Sequence, residues 1–526
     1  MFNRNRCLRK LAAVASISLL AGCGVLSGES RDSAGPIVVG TTSAPSALDP
    51  AAAWDQSWEL FRNIYQTLLS YPEGATTPEP DAAQSCRFSE SNTVYTCELR
   101  SGLTFSNGHK LNARAVKYSI DRIEKINVST GPAGLLGSLD RVEAVNEREV
   151  AFHLNKPDTT FPLVLATPGM AIVDPADYPA TKLRKDGKVT GSGPYNLESY
   201  EEDKQAQLTR NEHYKGIAER KNDAVTIRYY QDSRALADDL RDKKLDLTFR
   251  GLAASDVISF QSQSQGTKDI DLIEGASIEI EYLVFNPKDP WAGKPAVRKA
   301  VAQLINRSEI SHRVYKDTVD PLYSMVPAGL TGHTTVFFDD YGDPSVDRAR
   351  KILSDAGITQ KVPLTLWYTT DRYGSATAKE FQEIKRQLDA SGLFTVTLHG
   401  RPWKTYVEGY QNGEYPVFGR GWSPDYPDAD NFIAPFVGKQ NAVGTPYVTP
   451  RITDDLLPRS RSVSDRAKVV KEFKEAQTIL ANDVRLLPLW QGKQYIAANA
   501  DISGAERSLD ASAIMMVGEL FRKTSW

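Results

Sequence analysis

Two stretches of this chain alternate strand-like and helix-like segments across links of only a few residues, and that pattern leaves few ways to fold. Leu364–Tyr368 reads as a strand. Ser375 then caps a helix carrying Phe381, Ile384 and Leu388 at helical spacing, Gly392 stops it, and Phe394–Leu398 follows as a second strand. Val225–Tyr230, Ser233–Lys243 and Leu245–Phe249 repeat the order strand, helix, strand. A strand that returns in the same direction needs a crossover, and a helix supplies it, so both blocks predict parallel pairing in an α/β fold. A first strand over Pro36–Gly40 and a helix over Trp58–Leu69 are also expected. A second helix carries Val116, Ile120 and Ile123, with Asn112 as its cap. Between Thr76 and Thr190 the pattern is less regular and hairpin-like.

The chain has 526 residues, room for about three domains. At 41% hydrophobic and 25% charged it can bury a real core, which excludes a disordered chain, a collagen-like fibre and a small disulfide scaffold. Lys plus Arg is 63 against 66 for Asp plus Glu, so there is no basic surplus for nucleic acid. Arg4, Arg6, Arg9 and Lys10 stand in a leader with no acid; without them 59 basic face 66 acidic side chains, a net charge of −7.

That leader reads as a secretory signal over residues 1–22. Its apolar run, Leu11–Ala21, is 11 residues long, whereas a membrane span takes about 20. It ends in Leu20-Ala21-Gly22-Cys23, similar to the bacterial lipobox, and the polar segment Gly24–Gly35 follows as a tether. The resemblance implies cleavage before Cys23, lipidation of its thiol, and a body held on the extracytoplasmic face of the cell membrane, in a periplasm or at the cell exterior. Phe161–Val173, the most apolar stretch left, is interrupted by Pro162 and Pro168. With Cys7 removed and Cys23 lipidated, Cys86 and Cys97 remain as an even pair in an exported chain. A polar, turn-like centre separates them, so a hairpin and a disulfide are expected, with two free thiols as the alternative.

Catalytic signatures are missing. The nearest two of the six histidines are 21 residues apart, so there is no HExxH motif and no local metal cluster. No Gly-x-Ser-x-Gly elbow, P-loop or GxGxxG motif occurs. A long exported α/β chain of this kind points to a binding protein without cofactor, metal or catalytic residues.

Six segments carry a family resemblance. Ala44–Pro50 contains Leu48-Asp49-Pro50; Tyr95–Gly108 reads YTCELRSGLTFSNG, followed by Leu111–Val116; Gly191–Tyr195 reads GSGPY. Phe285-Asn286 precedes Pro295–Ala300, and Gly421–Tyr426 reads GWSPDY. In this order they resemble the family 5 extracellular solute-binding proteins of ABC transporters, the oligopeptide- and dipeptide-binding lipoproteins. The resemblance implies a two-lobed Venus-flytrap fold of the periplasmic-binding-protein kind (type II-like) with an extra third domain. Residues 36–75, 191–280 and 481–526 would form lobe I, 76–190 its extra domain, and 281–480 lobe II. It also implies a monomer that takes a short peptide ligand in the cleft and delivers it to ABC permease subunits. Asp425 would pair with the ligand's α-ammonium, Trp422 would wall the cleft, and Arg420 is the candidate for a carboxylate end. Trp403, Tyr406, Tyr410, Tyr415 and Phe418 are expected in the core, and Asp428 and Asp430 as solvated turn residues. The alternatives are a non-peptide solute (oligosaccharide, metal chelate or haem) and a receptor for peptide signals.

Overall fold

The computed structural model describes residues 35–89, 91–266 and 269–523. The signal-like segment, Cys23 and most of the tether lie outside them.

Among the described residues, one mixed sheet of 11 strands runs through the protein. Ile37–Thr41 is buried on both faces and pairs in parallel with Ala224–Tyr229 and with Leu247–Thr248. The helix Ser233–Arg241 makes the crossover between these two partners, capped by the side chain of Asp232. In the other half, Val362–Thr369 pairs in parallel with Phe394–Arg401 across the helix Thr377–Ala390. Both expected crossovers are therefore present. Two long strands, Ile270–Phe285 and Leu486–Asn499, pair antiparallel with each other and stand between the halves, with breaks of register near Ala276–Ile280 and Glu281–Tyr282.

Each half has its own core. Val39, Phe61, Val225 and Leu247 belong to one cluster; Leu283, Val301, Phe381 and Leu487 belong to another. A third cluster lies beneath a four-stranded antiparallel sheet in the order Ala83–Phe88, Val94–Leu99, Glu149–Leu154, Leu139–Ala144. Here the hairpin places Cys86 directly opposite Cys97, and the two form a disulfide. The helix Ala113–Ile126 closes this core, and its cap Asn112 accepts from the backbone N–H groups of Arg114 and Ala115.

Several recognised segments prove to be structural joints. Asp49 is buried against the Arg122 guanidinium, which donates to both carboxylate oxygens at 2.8 and 2.5 Å. Asp49 also caps the turn Pro50–Ala52 and accepts from the Arg184 backbone N–H. At Gly191 and Gly193 the chain passes so close to the end of the helix Ser57–Ile64 that an added Cβ would stand 1.9 Å from the Ile64 carbonyl oxygen or 2.5 Å from its carbon. Only glycine fits such an approach. Arg298 ties its helix to another by donating to the Asp483 carboxylate at 2.7 Å.

Two local expectations are corrected. The helix expected over Trp58–Leu69 ends at Ile64, because Tyr65 turns extended and Gln66 bridges to Ile172. Ser375 does not cap the following helix, which begins at Thr377; Thr377 instead turns its hydroxyl back to the Gly374 carbonyl at 3.0 Å.

Candidate functional site

The strand Val417–Trp422 pairs antiparallel with Ile270–Phe285, and its chain continues as Ser423-Pro424-Asp425-Tyr426-Pro427-Asp428. Two prolines in this run cannot donate to a ladder, so the chain leaves the sheet there. Asp428 then caps the short turn Ala429–Phe432, its carboxylate accepting from the Asp430 N–H at 2.8 Å. The turn swings Asn431 back beneath the departing chain. Its carbonyl oxygen accepts from the Asp425 backbone N–H at 2.9 Å and from the Trp422 indole at 3.2 Å. Its amide donates to one carboxylate oxygen of Asp425 at 2.9 Å. The other oxygen of Asp425 accepts from the indole N–H of Trp54, which belongs to the opposite half of the molecule.

Asp425 is thus 6% exposed and holds two neutral donors. Among the described residues no Lys or Arg lies within ion-pair distance of it. Burial pushes its carboxyl up to about 6, against the opposing pull of the Asn431 and Trp54 hydrogen bonds. A buried carboxylate with hydrogen bonds but no counter-charge is suited to an incoming cation.

Tyr426 continues across. It packs in the core beneath the four-stranded sheet, with its hydroxyl 3.3 Å from Asp430. Asp428 and Asp430 are buried, contrary to the expectation of solvated turn residues. The Arg466 guanidinium grips Asp428 with two bonds of 2.8 Å, and that of Arg461 grips Asp430 at 2.8 and 2.6 Å. Burial alone would raise the Asp430 carboxyl, but Arg461 outweighs it and holds it below the usual range. The segment after Arg461 also meets the extra sheet's side: the Thr159 N–H and hydroxyl donate to the carbonyls of Arg461 and Val463 at 2.8 and 2.9 Å.

A second cluster lies beside Ser423. The Arg250 guanidinium pairs with Glu59 at 2.6 Å and with Glu279 at 2.8 Å, and Ser423 donates to Glu279 at 3.1 Å. Burial lifts the Glu59 carboxyl to about 7, with Arg250 pulling it back. Burial also acts to raise Glu279, but Arg250 prevails and lowers it, helped by Arg372. Arg372 is exposed, lies over the Trp403 ring at 5.3 Å, and has no carboxylate within ion-pair distance among the described residues.

Trp422 and Asp425 are therefore brought together through Asn431. Trp422 is half-buried and meets Phe436 edge-on at 5.1 Å. Arg420 sits apart from them: it is buried, lies 4.5 Å from the Tyr410 ring centre and donates to the Ala442 carbonyl at 2.9 Å. Tyr406, Tyr410, Tyr415 and Phe418 are buried in the surrounding core, with Trp403 packed against it. The sequence reading missed Trp54, Asn431, Arg250, Glu59, Glu279 and Arg372. Asn431 had a signal, an Asp-Ala-Asp-Asn run of turn-forming residues. Among the described residues there is no group of three or more His, Cys, Asp and Glu able to hold a metal, and no helix long and apolar enough to cross a membrane.

The family model described as bacterial extracellular solute-binding proteins, family 5, middle, matches residues 77–444. Di/tripeptide-binding protein 2 of Pseudomonas aeruginosa is 25% identical over 505 residues, covering 90% of this chain and 92% of that protein. The glutathione-binding protein of Escherichia coli is 25% identical over 486 residues, 89% of this chain and 91% of its own. An ABC transporter-associated periplasmic binding protein from Helicobacter pylori, solved with the peptide STSA, superposes with a TM-score of 0.77. It shares 23% identity over 93% of this chain and 98% of that one. All three are named as binding proteins, and the last, compared as a structure, shares the mixed α/β fold described above.

Proposed function

The chain belongs to family 5 of the bacterial extracellular solute-binding proteins, and we propose that it captures short peptides between its lobes and delivers them to the permease subunits of an ABC importer. The observation that carries this reading is Asp425: a carboxylate buried between the two halves, held by Trp54 and Asn431, with no cationic partner among the described residues. An α-ammonium supplies the missing charge. Relatives named for binding di- and tripeptides and glutathione support the same ligand class.

A free peptide also carries a carboxylate. Arg372 is the exposed guanidinium near the Glu279–Ser423 contact and is assigned to that end in this reading. Arg420 has its guanidinium turned to Tyr410 and Ala442. Peptide backbone would add along the edge left where Val417–Trp422 ends, as peptides add to strands elsewhere. Closure of the two lobes about the strands Ile270–Phe285 and Leu486–Asn499 would then bury it. The division into lobe I (36–75, 191–280, 481–526), extra domain (76–190) and lobe II (281–480) is supported in outline by the separate cores, although Ala481, Val484, Leu487 and Leu489 pack in the core of lobe II. Anchoring through a lipid on Cys23 belongs to the same proposal and rests on Leu20–Cys23.

The test has two parts. Unfolding protein purified from its own cells and weighing what is released identifies the cargo; short peptides support the reading, and a sugar, chelate or haem overturns it. Asp425→Asn weakens peptide binding at least about tenfold in calorimetry without lowering the melting temperature. Unchanged affinity removes Asp425 from the site.

A further inference from the structure

We propose that Trp54 is a built-in competitor for Asp425, a neutral donor that a ligand's ammonium must displace before it can be held. The inference rests on the reading of Asp425 as the amine anchor and goes beyond it by assigning a second residue that sets binding strength.

The two partners of this hydrogen bond are unlike. Asp425 is 6% exposed, whereas Trp54 is 39% exposed, so the ring is the partner with room to leave. The backbone beneath it is fixed on both sides. Asp49 is clamped by Arg122 and the Arg184 N–H, the Ala52 carbonyl accepts from Thr130 at 2.7 Å, and Asp55 accepts from the Ser57 N–H at 2.8 Å. Gly134 lies beside the ring, and a Cβ added there would stand 3.6 Å from it. With its backbone held and its ring the more exposed partner, Trp54 is the side that turns away when the carboxylate is uncovered.

The chemistry gives the direction. The indole satisfies one oxygen without neutralising the charge, while an ammonium gives both a hydrogen bond and a counter-charge. An N-acylated terminus offers only a neutral N–H, the equal of the one it must remove. Displacement lowers every ligand's affinity by the same factor, so Trp54 sets a threshold that ammonium termini clear and neutral termini do not.

Trp54→Phe keeps the ring and removes the donor. Calorimetry with the dipeptide Ala-Leu is expected to show about tenfold tighter binding than wild type, and the same substitution in an Asp425→Ala background is expected to change nothing. Weaker or unchanged binding by Trp54→Phe, with Asp425→Asn still damaging, overturns the competitor and leaves the anchor standing. A gain that persists in the Asp425→Ala background also overturns it, because it does not act through the carboxylate. If Asp425→Asn binds as well as wild type, or if neither wild type nor Trp54→Phe binds Ala-Leu, the anchor reading fails and the competitor with it.

Discussion

Acidification from about pH 7 to about pH 5 should weaken binding of a free-amine peptide about tenfold, and Asp425 should be the cause. An ammonium needs the ionised carboxylate, and burial places that ionisation at about 6. The carboxyl is then about nine-tenths ionised at about pH 7 and one-tenth at about pH 5, while a peptide's α-amino group, which titrates near about 8, stays charged. The sign for folding is opposite to that of an ion-paired acid. Because burial raises the folded-state value above that of the unfolded chain, ionising Asp425 opposes folding. The protein alone loses about 3 kcal/mol as pH rises from about 4 through about 6, if this group acts by itself. A bound ammonium restores that loss, so ligand stabilisation is greatest on the neutral side. Calorimetry in two buffers of different ionisation heat measures both affinity and proton release, which should approach about one proton per peptide near about pH 5. Glu59, lifted to about 7, titrates in the neighbouring cluster whatever residue stands at 425. The difference between wild type and Asp425→Asn therefore isolates Asp425. An affinity flat across this range, or an equal pH slope in Asp425→Asn, would refute the assignment.

Other outcomes follow from the joints. Asp49→Ala leaves the Arg122 guanidinium buried without its carboxylate and should cost about 3–5 kcal/mol in denaturant unfolding; a loss under about 1 kcal/mol would show the pair is dispensable. Replacing both Cys86 and Cys97 by Ser should cost about 2–3 kcal/mol on the chain-entropy estimate, read as a fall in melting temperature that reductant reproduces in wild type and not in the variant.

Local order was legible and distant pairing was not. The segments Leu364–Tyr368 and Phe394–Leu398 were readable as parallel strands because the helix between them is amphipathic and its stop, Gly392, has positive φ. Apolar spacing continues past Ile64 and so predicts a longer helix after Gln56, but Tyr65 turns extended and Gln66 bridges to the distant Ile172. Asp428 and Asp430 looked like solvated turn residues because their partners, Arg466 and Arg461, stand 38 and 31 residues away. Asp425 was nameable from its motif, but its environment was not: Trp54 lies 371 residues earlier, and nothing local links the two.

The pairing of strands also sets an order in time. Ile37–Thr41 finds its first partner only when Val225–Tyr229 has been made, and Leu247 pairs with Ala498. The strand Ile270–Phe285 has its long mate, Leu486–Asn499, close to the carboxyl end. A chain emerging from its amino terminus therefore cannot complete either lobe until it is almost finished. Such distant pairing makes folding slow relative to proteins built from local contacts. For a protein that works outside the cytoplasm, slowness is useful. The polypeptide stays threadable for as long as its last strand is missing, so passage through a narrow channel can come first and assembly afterwards.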